Sequence, residues 1–174
     1  MEFLNLVRSR FSVRKYQDTP VENEKIEKIF STVRLAPSAC NIQPWIFIVV
    51  RDKDSRFLFE KVYNKPWFFT APIIIAACCD RGIAWRRNDG KEYGDVDVAI
   101  AVDHLTLAAA EAGLGTCWIG AFNSDAARSV LRLPETVDPV ALTPLGYPAS
   151  EPGEKVRKKI NEILHWEYFG NTDT

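Results

Sequence analysis

Two runs without a charged residue, Trp45-Ile46-Phe47-Ile48-Val49-Val50 and Ile73-Ile74-Ile75-Ala76-Ala77-Cys78-Cys79, restrict what this chain can fold into more than any other feature. A strand with one wet face alternates apolar and polar residues, whereas a continuous apolar run reads as a strand covered on both faces. Covering both faces takes helical layers, and the sequence supplies them. Residues Glu22 to Leu35 place Ile26, Ile29, Phe30 and Val33 at helical spacing, with Pro20 just ahead of the start. Val96 to Ala112 is apolar around most of its circumference, so it is expected to be buried on several sides and to lie at the centre of a subunit interface. With 174 residues, 47% hydrophobic and 26% charged, the chain has material for one domain with such a core.

The remaining elements follow from similar patterns. Helices are expected over Glu2 to Val7, over Asp52 to Tyr63 with Phe57, Leu58, Val62 and Tyr63 inward, from a Ser124 cap through Leu131, and over the basic stretch Glu154 to Leu164. Strands are expected over Pro72 to Cys79, Thr116 to Ile119 and Pro139 to Tyr147. The segment 80–95 is polar, carries Gly82, Gly90, Gly94, Trp85 and Tyr93, and reads either as a lid over a flat ligand or as a disordered loop. The tail 165–174 opens with His165-Trp166-Glu167-Tyr168-Phe169, aromatic enough to be expected to pack on something, a second subunit included.

Several classes of function are disfavoured. A net charge of -1 gives no general attraction for nucleic acid or acidic membranes, and the cluster Arg81, Arg86, Arg87 and Lys91 reads as loop surface. Cys40, Cys78, Cys79 and Cys117 show no C-x-x-C spacing, and with His104 and His165 they form no zinc pattern, so no metal is expected. Free thiols within an apolar run fit a reducing cytoplasm. Met1 to Arg10 lacks the apolar core of a secretory signal, and no run is long enough to cross a membrane. Gly113-Leu114-Gly115-Thr116-Cys117-Trp118 has Trp118 where a dinucleotide fingerprint has its third glycine, and it follows a helix instead of opening one. His104 reads as a satisfied core or interface residue.

Two stretches carry polar groups suited to a flat, anionic ligand. In an extended Arg10-Phe11-Ser12-Val13-Arg14, a period of two puts two guanidinium forks and a hydroxyl on one face, a match for phosphate or ring carbonyl oxygens. Solvated charges on an edge segment would explain the same residues. Pro37-Ser38-Ala39-Cys40-Asn41-Ile42-Gln43-Pro44-Trp45 is a stiff loop, because each proline pushes the residue before it out of helical geometry. Its small and amide side chains leave donors and acceptors accessible at a sheet edge, although an ordinary helix-to-strand connection would look alike.

Arg10 to Arg14, the Pro37 to Trp45 loop, the Gly113 to Phe122 segment and Lys155-Val156-Arg157 together resemble the FMN-dependent nitroreductase family, in an order that covers nearly the whole chain. The resemblance implies an α+β fold with a central mixed sheet flanked by helices, a single FMN-binding domain over 1–174, and an intertwined homodimer with FMN at the subunit interface. It implies Arg10, Ser12 and Arg14 as the first FMN-binding segment, Lys155 and Arg157 as a late basic pair at the phosphate, and Arg14 as a cation tuning the flavin. Pro37, Ser38, Ala39, Asn41 and Gln43 resemble the loop that one subunit presents to the flavin held by the other, and Asn64 matches an amide that contacts it. Gly120 and Ala121 stand where family members place backbone donors near flavin N5, and Gly120 departs from members with an acidic residue there. The activity implied is ping-pong transfer from NADH or NADPH, through flavin N5, to a nitroaromatic, quinone or similar small-molecule acceptor, with no side-chain nucleophile. A slow flavin-binding redox sensor or store, or a relative with a dedicated reaction such as reductive dehalogenation, would use the same binding residues.

Overall fold

The computed structural model describes residues 2–172, so the part of the tail at 173–174 and Met1 lie outside the described residues. Its centre is a four-stranded sheet in the order β1-β2-β4-β3: β1 (Trp45–Val50), β2 (Ile73–Asp80), β3 (Gly115–Thr116) and β4 (Val137–Gly146). All three pairings are antiparallel. The parallel component of the expected mixed sheet is one bridge, Ser12 to Thr116, which lays the Arg10–Arg14 segment beside β3.

The second apolar run behaves as its composition demands. Ile73, Ile75, Ala77 and Cys79 face α2 (Asn23–Val33) and α4 (Gly94–Glu111), while Ile74, Ala76 and Cys78 face the opposite layer of Phe59, Val62, Phe68 and α5 (Ser124–Leu131). Every one of these β2 side chains is buried. Burying an isoleucine on either side contributes about 1.5–3 kcal/mol, which is why neither face tolerates a polar residue. A bulge opposite Ala77 and Cys78 coincides with Pro139, where a residue lacking an N–H removes least from the ladder.

Local signals set the ends of the smaller helices. Asp52 accepts the Ser55 N–H at 2.8 Å to cap α3 (Lys53–Phe57), and Asn123, not Ser124, caps α5 by accepting the Ala126 N–H at 3.0 Å. The helix expected over Asp52 to Tyr63 stops at Phe57 and continues as a 3-10 turn, Leu58–Lys61. Tightening the winding moves the inward position by one residue, so Phe59 and Val62 are buried while Phe57 and Leu58 are exposed. The strand expected over Thr116 to Ile119 is likewise shorter, with Ile119 joined to Leu142 by an isolated bridge.

The largest correction concerns the C-terminal region. No helix forms over Glu154 to Leu164 beyond one 3-10 turn, Ile160–Glu162. Val156 is 82% exposed, and Ile160 and Ile163 are also open to solvent, so the apolar face has nothing in this chain to pack against. Most helical stability comes from such packing, and without it a basic segment of this length does not stay wound. The tail beyond it folds into a turn in which Trp166 donates its N–H to Asn171, leaving Phe169 90% exposed.

Segment 80–95 is ordered by charge. Arg81 bonds Glu92, Asp95 and Asp138, Arg86 bonds Glu92 and Arg87 bonds Asp89, so these three cations are matched within the loop and its neighbours. No helix among the described residues is long and apolar enough to cross a membrane.

Candidate functional site

The Arg10–Arg14 segment is extended, with the two-residue period its sequence requires. Val13 is buried, Phe11 half-buried, and Ser12 and Arg14 exposed; Arg10 is partly covered. The Val13 N–H donates to the Thr116 carbonyl at 2.9 Å, an approach that needs glycine at 115. A Cβ there would lie 2.4 Å from Val13 Cγ2. Beneath the strand, burial pushes the Cys117 thiol above its usual range, while Arg14, a hydrogen bond with Ser12, and Arg10 pull the other way.

Residues from the far end of the chain meet this face. The Lys155 ammonium donates to the carbonyls of Val7, Arg8 and Arg10, filling acceptors left at the end of α1 (Phe3–Ser9). Burial lowers its affinity for a proton, and Arg10 and Arg157 act in the same direction, so three cations stand close together. Among the described residues no carboxylate pairs with Arg10, Arg14, Lys155 or Arg157, in contrast to the matched cations of segment 80–95. A cluster of like charges without a counterion is a place for an anion with several acceptor oxygens.

Gly120 and Ala121 lie on the same edge of the sheet, one residue beyond the Ile119 bridge, and both are exposed. A Cβ on Gly120 would meet only Trp118 Nε1, at 3.5 Å, so the backbone there faces open space. Asn64 is exposed in a turn held to this edge by the bond from the Asn123 N–H to the Val62 carbonyl, 2.9 Å. The Arg10–Arg14 segment, Gly120 and Ala121 thus lie along the β3 edge, and Lys155 bonds the Arg10 carbonyl at one end of that segment.

The loop of Pro37, Ser38, Ala39, Asn41 and Gln43 is elsewhere. It enters β1 at Trp45, which pairs with Cys79, while Ser12 pairs with Thr116, itself opposite Leu145 and hence level with Ile73. These are diagonally opposed corners, roughly 25–30 Å apart by strand spacing and rise. Inside the loop Ser38 Oγ accepts the Gln43 N–H at 2.9 Å, and Gln43 Nε2 donates to Asn41. Cys40, Asn41 and Gln43 have φ of 51°, 55° and 55°, a left-handed conformation uncommon outside glycine.

Sequence reasoning missed two participants. Asp97 is 2% exposed and accepts the Ala39 N–H at 2.9 Å through Oδ1. Its signal was an acid in the first turns of a helix whose inner side is otherwise apolar apart from Thr106. Cys117 carried no signal beyond its neighbours in a short strand. His104 is half-buried, with its Nδ1 3.0 Å from the Ile100 carbonyl.

An antiparallel sheet between helical layers, with a cation cluster on one edge and a strained polar loop at the far corner, is the nitroreductase fold. The chain belongs to the Nitroreductase family, whose model matches residues 7–64 and 56–147 and so takes in both the Arg10–Arg14 strand and the 37–45 loop. A nitroreductase family protein of Clostridium difficile 630 is 36% identical and superposes with a TM-score of 0.90, covering 97% of this chain and 99% of its own. The FMN-dependent nitroreductase of Clostridium difficile R20291 is 30% identical with a TM-score of 0.80, over 96% of this chain and all, 100%, of its own. The FMN reductase (NAD(P)H) of Bacillus subtilis strain 168 is 32% identical over 179 residues, 93% of this chain and 72% of its own length.

Proposed function

We propose that this protein is an FMN-dependent NAD(P)H oxidoreductase of the cytoplasm, in which two copies of the chain complete each cofactor site and a nitroaromatic, quinone or similar oxidised molecule is the acceptor. The observation that carries the reading is the unmatched cluster of Arg10, Arg14, Lys155 and Arg157, which fits a phosphate-bearing cofactor. When bound, FMN supplies the redox chemistry, accepting a hydride from the nicotinamide and passing reducing equivalents to the acceptor. The protein's share is binding and electrostatics. Ser12 and the guanidinium groups would hold the cofactor's oxygen atoms, Lys155 fixes the end of α1 against the strand that carries them, and Arg14 would supply positive charge that favours the reduced, anionic flavin. Open backbone at Gly120 and Ala121 leaves room for a flat ring at the same edge. A partner's loop, residues 37–43, would complete the site, since the loop of the same chain lies too far away.

The test is a visible spectrum. Protein incubated with FMN and passed through a desalting column is expected to keep flavin absorbance, to bleach on anaerobic addition of NADH or NADPH, and to recover colour when a quinone is added. Protein that stays colourless overturns the reading. Bleaching without sustained turnover would leave a flavin store or sensor in its place.

A further inference from the structure

Among the described residues Asp97 is the one buried charged side chain, and its place does not serve the core. Its Oδ1 accepts the Ala39 N–H at 2.9 Å, while Oδ2 is sealed from solvent and has no hydrogen-bond partner. Burying a carboxylate with half its acceptor capacity unused is unfavourable, so a packing explanation would favour an apolar residue here. The loop it holds is strained at Cys40, Asn41 and Gln43. Strain of this kind persists only where the surroundings over-determine the conformation. The side-chain bonds of Ser38 and Gln43 are internal to the loop, and the Asp80 N–H holds only its far end, at the Pro44 carbonyl (2.8 Å), which leaves Asp97 as the side-chain grip on Ala39 from the body of the fold. Asp97 also sits one turn into α4, where Gly94 opens the helix and the Asp97 N–H donates to Tyr93 at 2.9 Å. The positive end of the helix dipole favours an acceptor oxygen at that position, and Oδ1 meets the Ala39 amide there.

We propose that Asp97 is a positioning residue for the flavin site: through the Ala39 N–H it sets the loop that covers the partner chain's cofactor, and so governs the geometry of transfer without touching flavin or substrate. This rests on the two-chain reading given above. A charge-assisted bond to a backbone amide is stronger than one from a neutral acceptor, which gives the role a graded signature. Asp97→Asn keeps an acceptor oxygen in place, and Asp97→Ala removes it.

The experiment compares wild type, Asp97→Asn and Asp97→Ala as FMN-loaded proteins. Three readouts are used: amide hydrogen exchange over 37–44, the visible circular dichroism of the bound flavin, and steady-state NADH oxidation. Exchange in the loop is expected to quicken in the order wild type, Asn, Ala, with the dichroism changing in step. The Ala variant is expected to lose about tenfold to a hundredfold in kcat, the scale set by displacing a group that orients a reaction. FMN affinity is expected to weaken by less than kcat falls, because the cations at the other corner and the loop's own Asn41 and Gln43 side chains are retained. If Asp97→Ala does not fold, faster exchange and altered dichroism in Asp97→Asn carry the same conclusion. Identical exchange, dichroism and kcat in flavin-loaded wild type and variants overturn the positioning role alone. A wild type that takes up no FMN overturns the cofactor reading, and the role with it.

Discussion

Replacing Arg10 and Arg14 together with alanine is expected to raise the Kd for FMN by about 10²- to 10⁴-fold. Each guanidinium is expected to contribute a charge-assisted hydrogen bond of about 1.5–3 kcal/mol, and a tenfold change in Kd corresponds to about 1.4 kcal/mol. The two side chains share one ligand, so their effects need not add, which is why a range is given. The wild-type affinity should fall as salt is added, because the cluster is partly exposed, and this dependence should be weaker in the double variant. Arg81 offers the internal comparison. It is as cationic but already bonded to Glu92, Asp95 and Asp138, so Arg81→Ala should leave FMN affinity within about threefold while loosening segment 80–95. Fluorescence quenching of FMN on titration reads both. Equal affinities for wild type and the double variant would remove the cation cluster from the site.

Phe68→Ala is expected to lower stability by about 3–5 kcal/mol and the melting temperature by about 6–20 °C. Phe68 has no exposed surface and meets Tyr63, Trp67 and Phe69 edge to face, at centroid distances of 5.3, 6.2 and 5.4 Å. Such pairs are worth about 0.5–1.5 kcal/mol beyond burial. The consequence reaches the site through Pro66–Thr70, the 3-10 turn that carries Phe68. Trp67 of that turn packs against Val13 and Tyr16, and Thr70 Oγ1 accepts the Tyr16 N–H at 3.3 Å. The floor under Arg10–Arg14 therefore depends on this aromatic, and flavin retention should weaken along with stability. Phe169→Ala, at a side chain 90% exposed in this chain, should change the stability of the isolated subunit by no more than about 0.5 kcal/mol. Calorimetry of the two variants checks the contrast. A Phe68→Ala protein melting within 2 °C of wild type, on the order of 1 kcal/mol or less, would contradict the assignment of the core.

The parts of the fold visible in the sequence are those where one local rule decides the outcome. Two apolar runs became β1 and β2, but only β2 is covered on both faces: β1 is the edge strand, its residues half-buried and Ile46 exposed in this chain, so the expected double burial of the first run is not met. The period of two in Arg10–Arg14 survived because Phe11 and Val13, two residues apart, share the cluster around Tyr16 and Ala71. Misreadings fell where tertiary contacts decide. The helical spacing of 154–164 was real, but its apolar face lacks a surface in this chain, and a 3-10 turn after Phe57 rotated Phe59 inward. The grouping of candidate residues was half legible. Chain ends meeting at Arg10 and Lys155 follow from the resemblance, whereas the tie from Asp97 to Ala39 joins residues 58 apart with no local pattern linking them.

A cofactor site divided between two chains is tested most directly by complementation in a mixed dimer. One chain carries Arg10→Ala and Arg14→Ala, the other Asn41→Ala and Gln43→Ala, each with a distinct affinity tag so that the heterodimer can be isolated. If each site takes its cations from one chain and its loop from the other, the heterodimer has one intact site and one doubly defective site. It should then bind about one tight FMN per dimer and recover about half of the wild-type turnover, while each variant homodimer shows almost none. A heterodimer as inactive as both homodimers would contradict the two-chain site, because it would mean that cations and loop serve the cofactor from within a single chain.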